Sequence, residues 1–261
     1  MHLSSIKNFL LGTRRLLSVV AFILLWEIAP RTGLADSRFL PPFSEVFITL
    51  VKLIYTGELI GHILISLQRA LIGFSLGLLI AIPLGILIGW FKKFDYYTDA
   101  LLQTFRQTST LSLLPVFMLI FGIGEVSKVA IVFWGVQWAI ILNTITGVKN
   151  IDTVLIKSAR SMGASPLTLF FKVIFPAAFP TIFTGIRLSA TNSILVLVAA
   201  EMLGASKGLG FLIFDAEVKY QIPKMFAAIL TMAMLGLILN YILVSIEKRI
   251  TRWKEELPVG N

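Results

Sequence analysis

The chain has 261 residues, of which 57% are hydrophobic and 14% are charged, whereas an ordinary soluble domain is about 45–50% apolar and about 25% charged. The mean hydropathy of +0.88 therefore predicts an integral membrane protein and excludes a disordered chain. The sequence contains no cysteine, which excludes a disulfide scaffold and cysteine-ligated metal sites. The net charge of +9 comes from Lys and Arg between apolar runs, where these residues set membrane topology rather than bind nucleic acid.

Six apolar segments are candidates for membrane-spanning helices, which need about 20 predominantly apolar residues. Five are long and carry at most one charge each: residues 70–90, 100–124, 129–147, 173–200 and 225–246. The sixth, residues 16–30, contains Glu27 and follows Arg14 and Arg15, as the apolar region of a signal peptide would. No small-x-small cleavage site follows it, so we expect a retained first helix.

The Lys and Arg residues of the connecting segments predict the orientation of the helices. With six spans and the amino terminus in the cytoplasm, the inner segments hold thirteen of these residues and the outer segments seven. This bias predicts a multi-pass protein with both termini in the cytoplasm. The expected domains are a first helix with an outer loop and interfacial helix (1–57), a transmembrane core (58–250) and a cytoplasmic tail (251–261).

Two outer segments are too long to be simple turns. Residues 43–55 follow Pro41 and Pro42 and place apolar side chains at helical spacing, which predicts an amphipathic helix at the outer interface. Residues 201–224 are rich in glycine. For this segment two interpretations stay open, a partner surface or gate and a cap on the helix bundle.

The sequence lacks the patterns of the common catalytic sites. Its histidines, His2 and His62, do not form a metal-ligand pair, and neither a G-x-x-x-x-G-K-[ST] loop nor a Gly-x-Ser-x-Gly motif occurs. We therefore expect no catalysis by this chain. A channel, a secondary transporter and the membrane subunit of a powered pump remain. The inverted repeats and buried ionisable sites typical of secondary transporters are not visible.

The inner segment between the fourth and fifth spans has the signals of two helices joined by a sharp turn. Asp152 is a helix N-cap, and Gly163 is suited to the left-handed conformation that ends a helix. Ser165 and Pro166 predict the start of a second helix, which must bend or end at Pro176. The apolar positions of the first helix are Val154, Leu155, Ala159 and Met162. A docking site for another protein and a plain re-entry elbow are both open on these residues alone.

This segment resembles the E-A-A-x3-G-x9-I-x-L-P loop of the membrane subunits of binding-protein-dependent ATP-binding-cassette importers. The match keeps Ala159, Gly163 and Pro176 at the right spacing and departs at Lys157, where the motif has Glu. Further segments are similar to the aliphatic sulfonate, taurine and nitrate permease family: residues 39–46 (FLPPFSEV), 66–70 (SLQRA), 121–125 (FGIGE), 198–203 (VAAEML) and 208–210 (GLG). Residues 107–110 depart from that family, which has a Pro-rich run there.

The resemblance implies a fold, partners and a docking site. The fold would be an all-α, six-helix transmembrane bundle of the type I importer permease kind with a cytoplasmic coupling helix. Two copies of the chain would form the pathway, together with two ATPase subunits and an external substrate-binding protein. ATP and Mg would belong to the ATPase, with no cofactor in this chain. The coupling residues would be Lys157, Ser158, Ala159, Arg160, Ser161, Met162, Gly163, Ala164 and Ser165.

The same resemblance implies a sulfonate, taurine or nitrate-like anion as substrate, with a neutral vitamin precursor as the alternative because of the altered third span. The candidate path residues are Arg106, Gln107, Thr108, Ser109, Thr110, Arg187 and Glu201. Arg106 either lines the path or extends to the inner interface. Arg187 lies deeper and requires an internal partner. Glu201 is either a gate contact or a solvated helix end.

Two glycine pairs mark the second span. Gly73-x-x-x-Gly77 and Gly85-x-x-x-Gly89 permit close helix approach, within the bundle or between two copies. Pro115 predicts a kink in the third span.

Overall fold

A computed structural model describes residues 2–250, with side chains from Leu17 onward. Every regular element in this range is helical. In chain order the α-helices are α1 (His2–Arg31), α2 (Phe43–Tyr55), α3 (Glu58–Trp90), α4 (Lys92–Gln107), α5 (Leu114–Phe121), α6 (Glu125–Lys149), α7 (Thr153–Ser161), α8 (Pro166–Leu169), α9 (Phe175–Gly204), α10 (Leu209–Val218) and α11 (Ile222–Ile250).

Four helical segments of the described chain are long and apolar enough to cross a membrane. They are Glu58–Trp90, Glu125–Lys149, Pro166–Gly204 and Ile222–Ile250, and they contain four of the six predicted spans. The predicted first span lies in α1, and the amphipathic helix predicted at residues 43–55 is α2. These parts of the helix prediction are confirmed at the level of secondary structure.

The predicted third span, residues 100–124, is wrong as a single helix. α4 ends at Gln107, and a 3-10 turn at Leu111–Leu113 precedes α5. Thr108 has an extended backbone with ψ of 123°. Pro115 lies in the first turn of α5, where its missing N–H needs no partner. The proline therefore marks a helix start rather than a kink.

The described chain divides into two compact units, one of residues 2–62 with Leu212–Thr231 and one of Ile63–Phe211 with residues 232–250. In the first unit, Trp26 of α1 packs edge-on against Phe43 and Phe226, with ring centroids 5.5 and 5.6 Å away. Glu27 accepts hydrogen bonds from the backbone N and the Oγ of Ser44, both at 2.9 Å. The charge in the predicted first span thus anchors the start of α2.

In the second unit, α6 packs closely against both α3 and α9. The four α3 glycines Gly73, Gly77, Gly85 and Gly89 form a glycine seam on α6. A methyl group at Gly85 would lie 2.6 Å from Thr144 Cβ, so only glycine permits this approach. On the other side of α6, Ser189 Oγ of α9 donates to the Val136 carbonyl at 2.7 Å. The glycine pairs therefore pack helices within one chain.

Candidate functional site

Arg69 of α3 is the buried centre of a group of charges. Its side chain is 5% exposed, and its Nη1 lies 2.7 Å from Glu201 Oε1. Its Nε and Nη2 donate to the two oxygens of Glu125, at 2.5 and 2.6 Å. Nη1 also donates to the Lys207 carbonyl at 2.7 Å. One guanidinium thus connects α3, the first residue of α6, the last turn of α9 and the loop that follows α9.

Glu201 is completely buried, and both of its carboxylate oxygens have donors. Ser66 Oγ lies 2.8 Å from Oε1 and from Oε2, and the Gly210 backbone N–H donates to Oε2 at 2.9 Å. Ser66 Oγ in turn accepts from the Leu209 N–H at 2.8 Å. Of the two interpretations of Glu201, the solvated helix end is wrong, because α3 and the loop after α9 enclose its carboxylate.

Gly208 in the loop after α9 and Gly210 in the first turn of α10 bring this segment onto the carboxylate. Gly208 has φ of +124°, and a side chain there would collide with the Glu201 carboxylate. A side chain at Gly210 would collide with the Val198 carbonyl and with Glu201 Cβ. The glycine-rich sequence of this segment is therefore required by its close approach to a buried charge.

Lys128 adds a second buried cation beside Arg69. It is 2% exposed and its Nζ donates to the Gly124 carbonyl at 2.9 Å. It interacts electrostatically with Glu125 and Glu201. We call Arg69, Glu125, Lys128 and Glu201 the charge cluster. Its two cations and two anions balance in charge. Ionisable residues within membrane helices are commonly paired in this way and mark functional positions.

At the other end of α9 lies the connecting loop, residues 150–174, which has the predicted turn. Asp152 Oδ1 accepts from the Val154 N–H at 2.8 Å and caps α7. Gly163 follows α7 with φ of +75°. Ser165 Oγ accepts from the Thr168 N–H at 3.2 Å and caps α8. The two caps and the glycine stop are confirmed.

The four predicted apolar positions around α7 differ in burial. Ala159 alone of the four predicted positions is buried, in a cluster with Leu169 and Ile174. Val154 and Met162 are 62% and 81% exposed. Of the predicted coupling residues, Ala159 is buried, Ala164 is half-buried and the other seven are exposed. The loop thus has a packed inner side and an exposed tip with apolar side chains.

The helix after Ser165 does not end at Pro176. A π-helical turn at Phe170–Ile174 joins α8 to α9, and the Phe175 N–H donates to the Phe170 carbonyl. Pro176 then lies in the first turn of α9. The wider turn changes the hydrogen-bond register before the proline, so the chain continues as a helix.

The structure separates Arg187 from Glu201, two of the seven predicted path residues. Arg106, Gln107 and Ser109 are exposed, and Thr108 and Thr110 are half-buried. Arg187 pairs with Glu247 of α11 at 2.9 Å, which supplies the internal partner that it requires. Glu201 belongs to the charge cluster, fourteen residues or about 21 Å further along α9.

The chain matches the family model described as binding-protein-dependent transport system inner membrane component, over residues 81–252. The chain belongs to this family. It is 36% identical to the putative aliphatic sulfonates transport permease of Bacillus subtilis (strain 168), over 92% of this chain and 87% of the relative. The taurine transport system permease of Escherichia coli (strain K12) is 29% identical, over 92% of this chain and 89% of the relative.

Solved structures share the fold. The inward-facing MetNI methionine ABC transporter in its CY5 native crystal form matches with a TM-score of 0.66 at 20% identity, over 74% of this chain and 95% of that chain. The chain is a membrane permease subunit of an ABC importer with the type I fold, and ATP hydrolysis belongs to a separate subunit. The resemblance and the fold class are confirmed.

Sequence reasoning missed the charge cluster as a unit. Four of the segments that carry the resemblance, residues 66–70, 121–125, 198–203 and 208–210, supply Arg69, Glu125, Glu201 and the enclosing backbone, and Lys128 lies outside them. The available signal was a set of single charges at span ends, each near glycine. No local pattern says which of these charges pair.

Proposed function

We propose that two copies of this permease form the pathway of an importer and that an ATPase subunit binds the connecting loop of each copy. ATP and Mg belong to these two ATPase subunits, and an external binding protein delivers the substrate. The membrane orientation is the one predicted from Lys and Arg, with both termini and the connecting loop in the cytoplasm. The charge cluster then lies at the outer side.

The observation that carries this proposal is the shape of the exposed tip. Val154, Leu155, Met162 and Leu167 expose 51–81% of their surface, and no atom lies within 4 Å of a side chain placed at Gly163. Exposed apolar side chains on a loop anchored by packed residues are typical of a protein interface. A rigid tip of this kind passes the closure of the ATPase pair to the helices as a rigid-body movement.

Gly163→Leu tests the docking role, and Gly33→Leu is its matched control. Both glycines have a left-handed backbone, with φ of +75° and +79°, and both face open space. A leucine therefore costs each site about the same backbone strain, roughly 1–2 kcal/mol. We expect Gly163→Leu to lose co-purification of the ATPase subunit and coupled uptake, while Gly33→Leu retains both. Equal behaviour of the two variants would refute the docking role.

Cysteine labelling tests the orientation directly, because the chain has no cysteine of its own. In intact cells we expect a membrane-impermeant reagent to label Ser206→Cys. It should label Ser161→Cys only after the cytoplasmic side is opened. The reverse pattern would overturn the proposed orientation.

The proposed substrate is a small sulfonate such as taurine or a similar anion. The support comes from two relatives, which are named for the transport of aliphatic sulfonates and of taurine. Uptake of labelled taurine, an alkanesulfonate and nitrate into vesicles that contain the whole importer measures this choice. ATP-dependent uptake of a neutral heterocycle in place of all three anions would refute it. Uptake driven by an ion gradient without ATP would instead indicate a secondary transporter.

A further inference from the structure

An open groove of about 930 Å³ runs between the last part of α3 and the connecting loop. Ile82, Ile86 and Trp90 line one side of it, and Leu169, Phe170 and Ile174 line the other. From Ile82 to Trp90 the α3 wall is about 12 Å long. That length approaches the thickness of one leaflet, which is half of a hydrocarbon core of about 30 Å.

Arg160 is the one charged residue among the described side chains that line the groove. It is in the last turn of α7, where no carboxylate of residues 17–250 forms an ion pair with it. Lys92 and Lys93 follow Phe91, another lining residue, directly in the chain. An apolar groove with a cation on the loop side is complementary to an anionic phospholipid, which has apolar acyl chains and a negatively charged head group.

We infer that this groove binds an anionic phospholipid of the inner leaflet, with an acyl chain along α3 and the phosphate at Arg160. The inference rests on the proposed cytoplasmic position of the connecting loop. Basic pockets between transmembrane helices on the cytoplasmic side bind anionic head groups. Because the groove wall includes Ala164 and Pro166 at the tip, the bound lipid contacts the segment to which the ATPase subunit binds.

Fluorescence quenching in vesicles tests this site without ATPase or transport. The full chain, which has no cysteine, receives a fluorophore at Phe171→Cys in the groove or at Leu79→Cys, which is 71% exposed on α3 outside the groove. Brominated phosphatidylglycerol and brominated phosphatidylcholine are the quenchers. We expect about a fivefold preference for phosphatidylglycerol at residue 171, the factor expected for one basic side chain beside anionic lipid. We expect no preference at residue 79.

Arg160→Gln should abolish the preference at residue 171, whereas Lys172→Gln should retain it. Lys172 is exposed and adjacent to Phe171 but does not line the groove, so the two variants remove the same charge, one inside the groove and one outside it. An equal loss in both variants would show general attraction to the membrane and overturn the site. No quenching by either lipid at residue 171 would show that protein occupies the groove, which also overturns it. If the lipid preference holds but Gly163→Leu still binds the ATPase, the docking proposal fails and the lipid site stands.

Discussion

Glu201→Gln should be one of the most destabilising conservative changes in this protein. The carboxylate is fully buried and lies 2.7 Å from Arg69 Nη1, and removing one partner of a buried pair costs about 3–5 kcal/mol. Glu125→Gln removes a partner of the same guanidinium, but the Glu125 side chain is 66% exposed. Solvent screening limits that loss to about 1 kcal/mol or less. The two variants therefore separate burial from charge.

Unfolding of the purified chain in mixed micelles, followed by tryptophan fluorescence, measures both free energies. The double variant Arg69→Met/Glu201→Leu should recover part of the loss seen for Arg69→Met alone, because it removes the buried carboxylate that the single change leaves unpaired. Losses for Glu201→Gln and Glu125→Gln that agree within about 0.5 kcal/mol, the usual error of additivity, would refute this account. A double variant less stable than Arg69→Met alone would refute it as well.

Two further sets of variants test the glycine seam and the Arg187–Glu247 ion pair. Gly85→Ala should lower the free energy of unfolding by about 1–3 kcal/mol through overpacking against Thr144. Gly61→Ala, at a position of the same helix that faces open space, should raise it by up to about 1 kcal/mol. The same unfolding assay compares the two variants, and changes of the same sign would contradict the glycine seam. Arg187→Glu places two carboxylates at the Glu247 contact and should reduce the folded yield in membranes several-fold. The charge swap Arg187→Glu/Glu247→Arg should restore part of it, and a wild-type yield for the single change would mean that Arg187 faces water.

The sequence predicts well what a few neighbouring residues determine. The bounds of α2 agree with the predicted residues 43–55. The Asp152 and Ser165 caps depend on hydrogen bonds to backbone groups two or three positions away. Gly163 needs only its own backbone freedom. Each of these signals is local, so no knowledge of the tertiary packing is required to interpret it.

The sequence predictions fail where the average composition of a segment hides a local break and where residues far apart in the chain pair. Residues 100–124 have the apolar composition of a span, and this average conceals the non-helical residues 108–110. Ser66 and Glu201 are 135 positions apart. Ala159 is buried in a cluster with Leu169 and Ile174, which lie ten and fifteen positions further along the chain. The π-helical turn before Pro176 lets the helix continue through the proline, which a rule based on the proline alone does not include.

The glycine seam restricts how an importer of this kind can rearrange. At Gly73 a methyl group would lie 2.8 Å from both the Val129 carbonyl and Val132 Cβ, so the α3 backbone packs directly on α6 and contributes no side chain to the contact. Val136 packs in the same way on Gly77, so sliding α3 along α6 would bring residues that have side chains against these valines in place of a glycine. Any movement that keeps this packing must move α3 and α6 together as one rigid body. The deformable points then lie elsewhere, at the break after Gln107 and at the π-helical turn Phe170–Ile174.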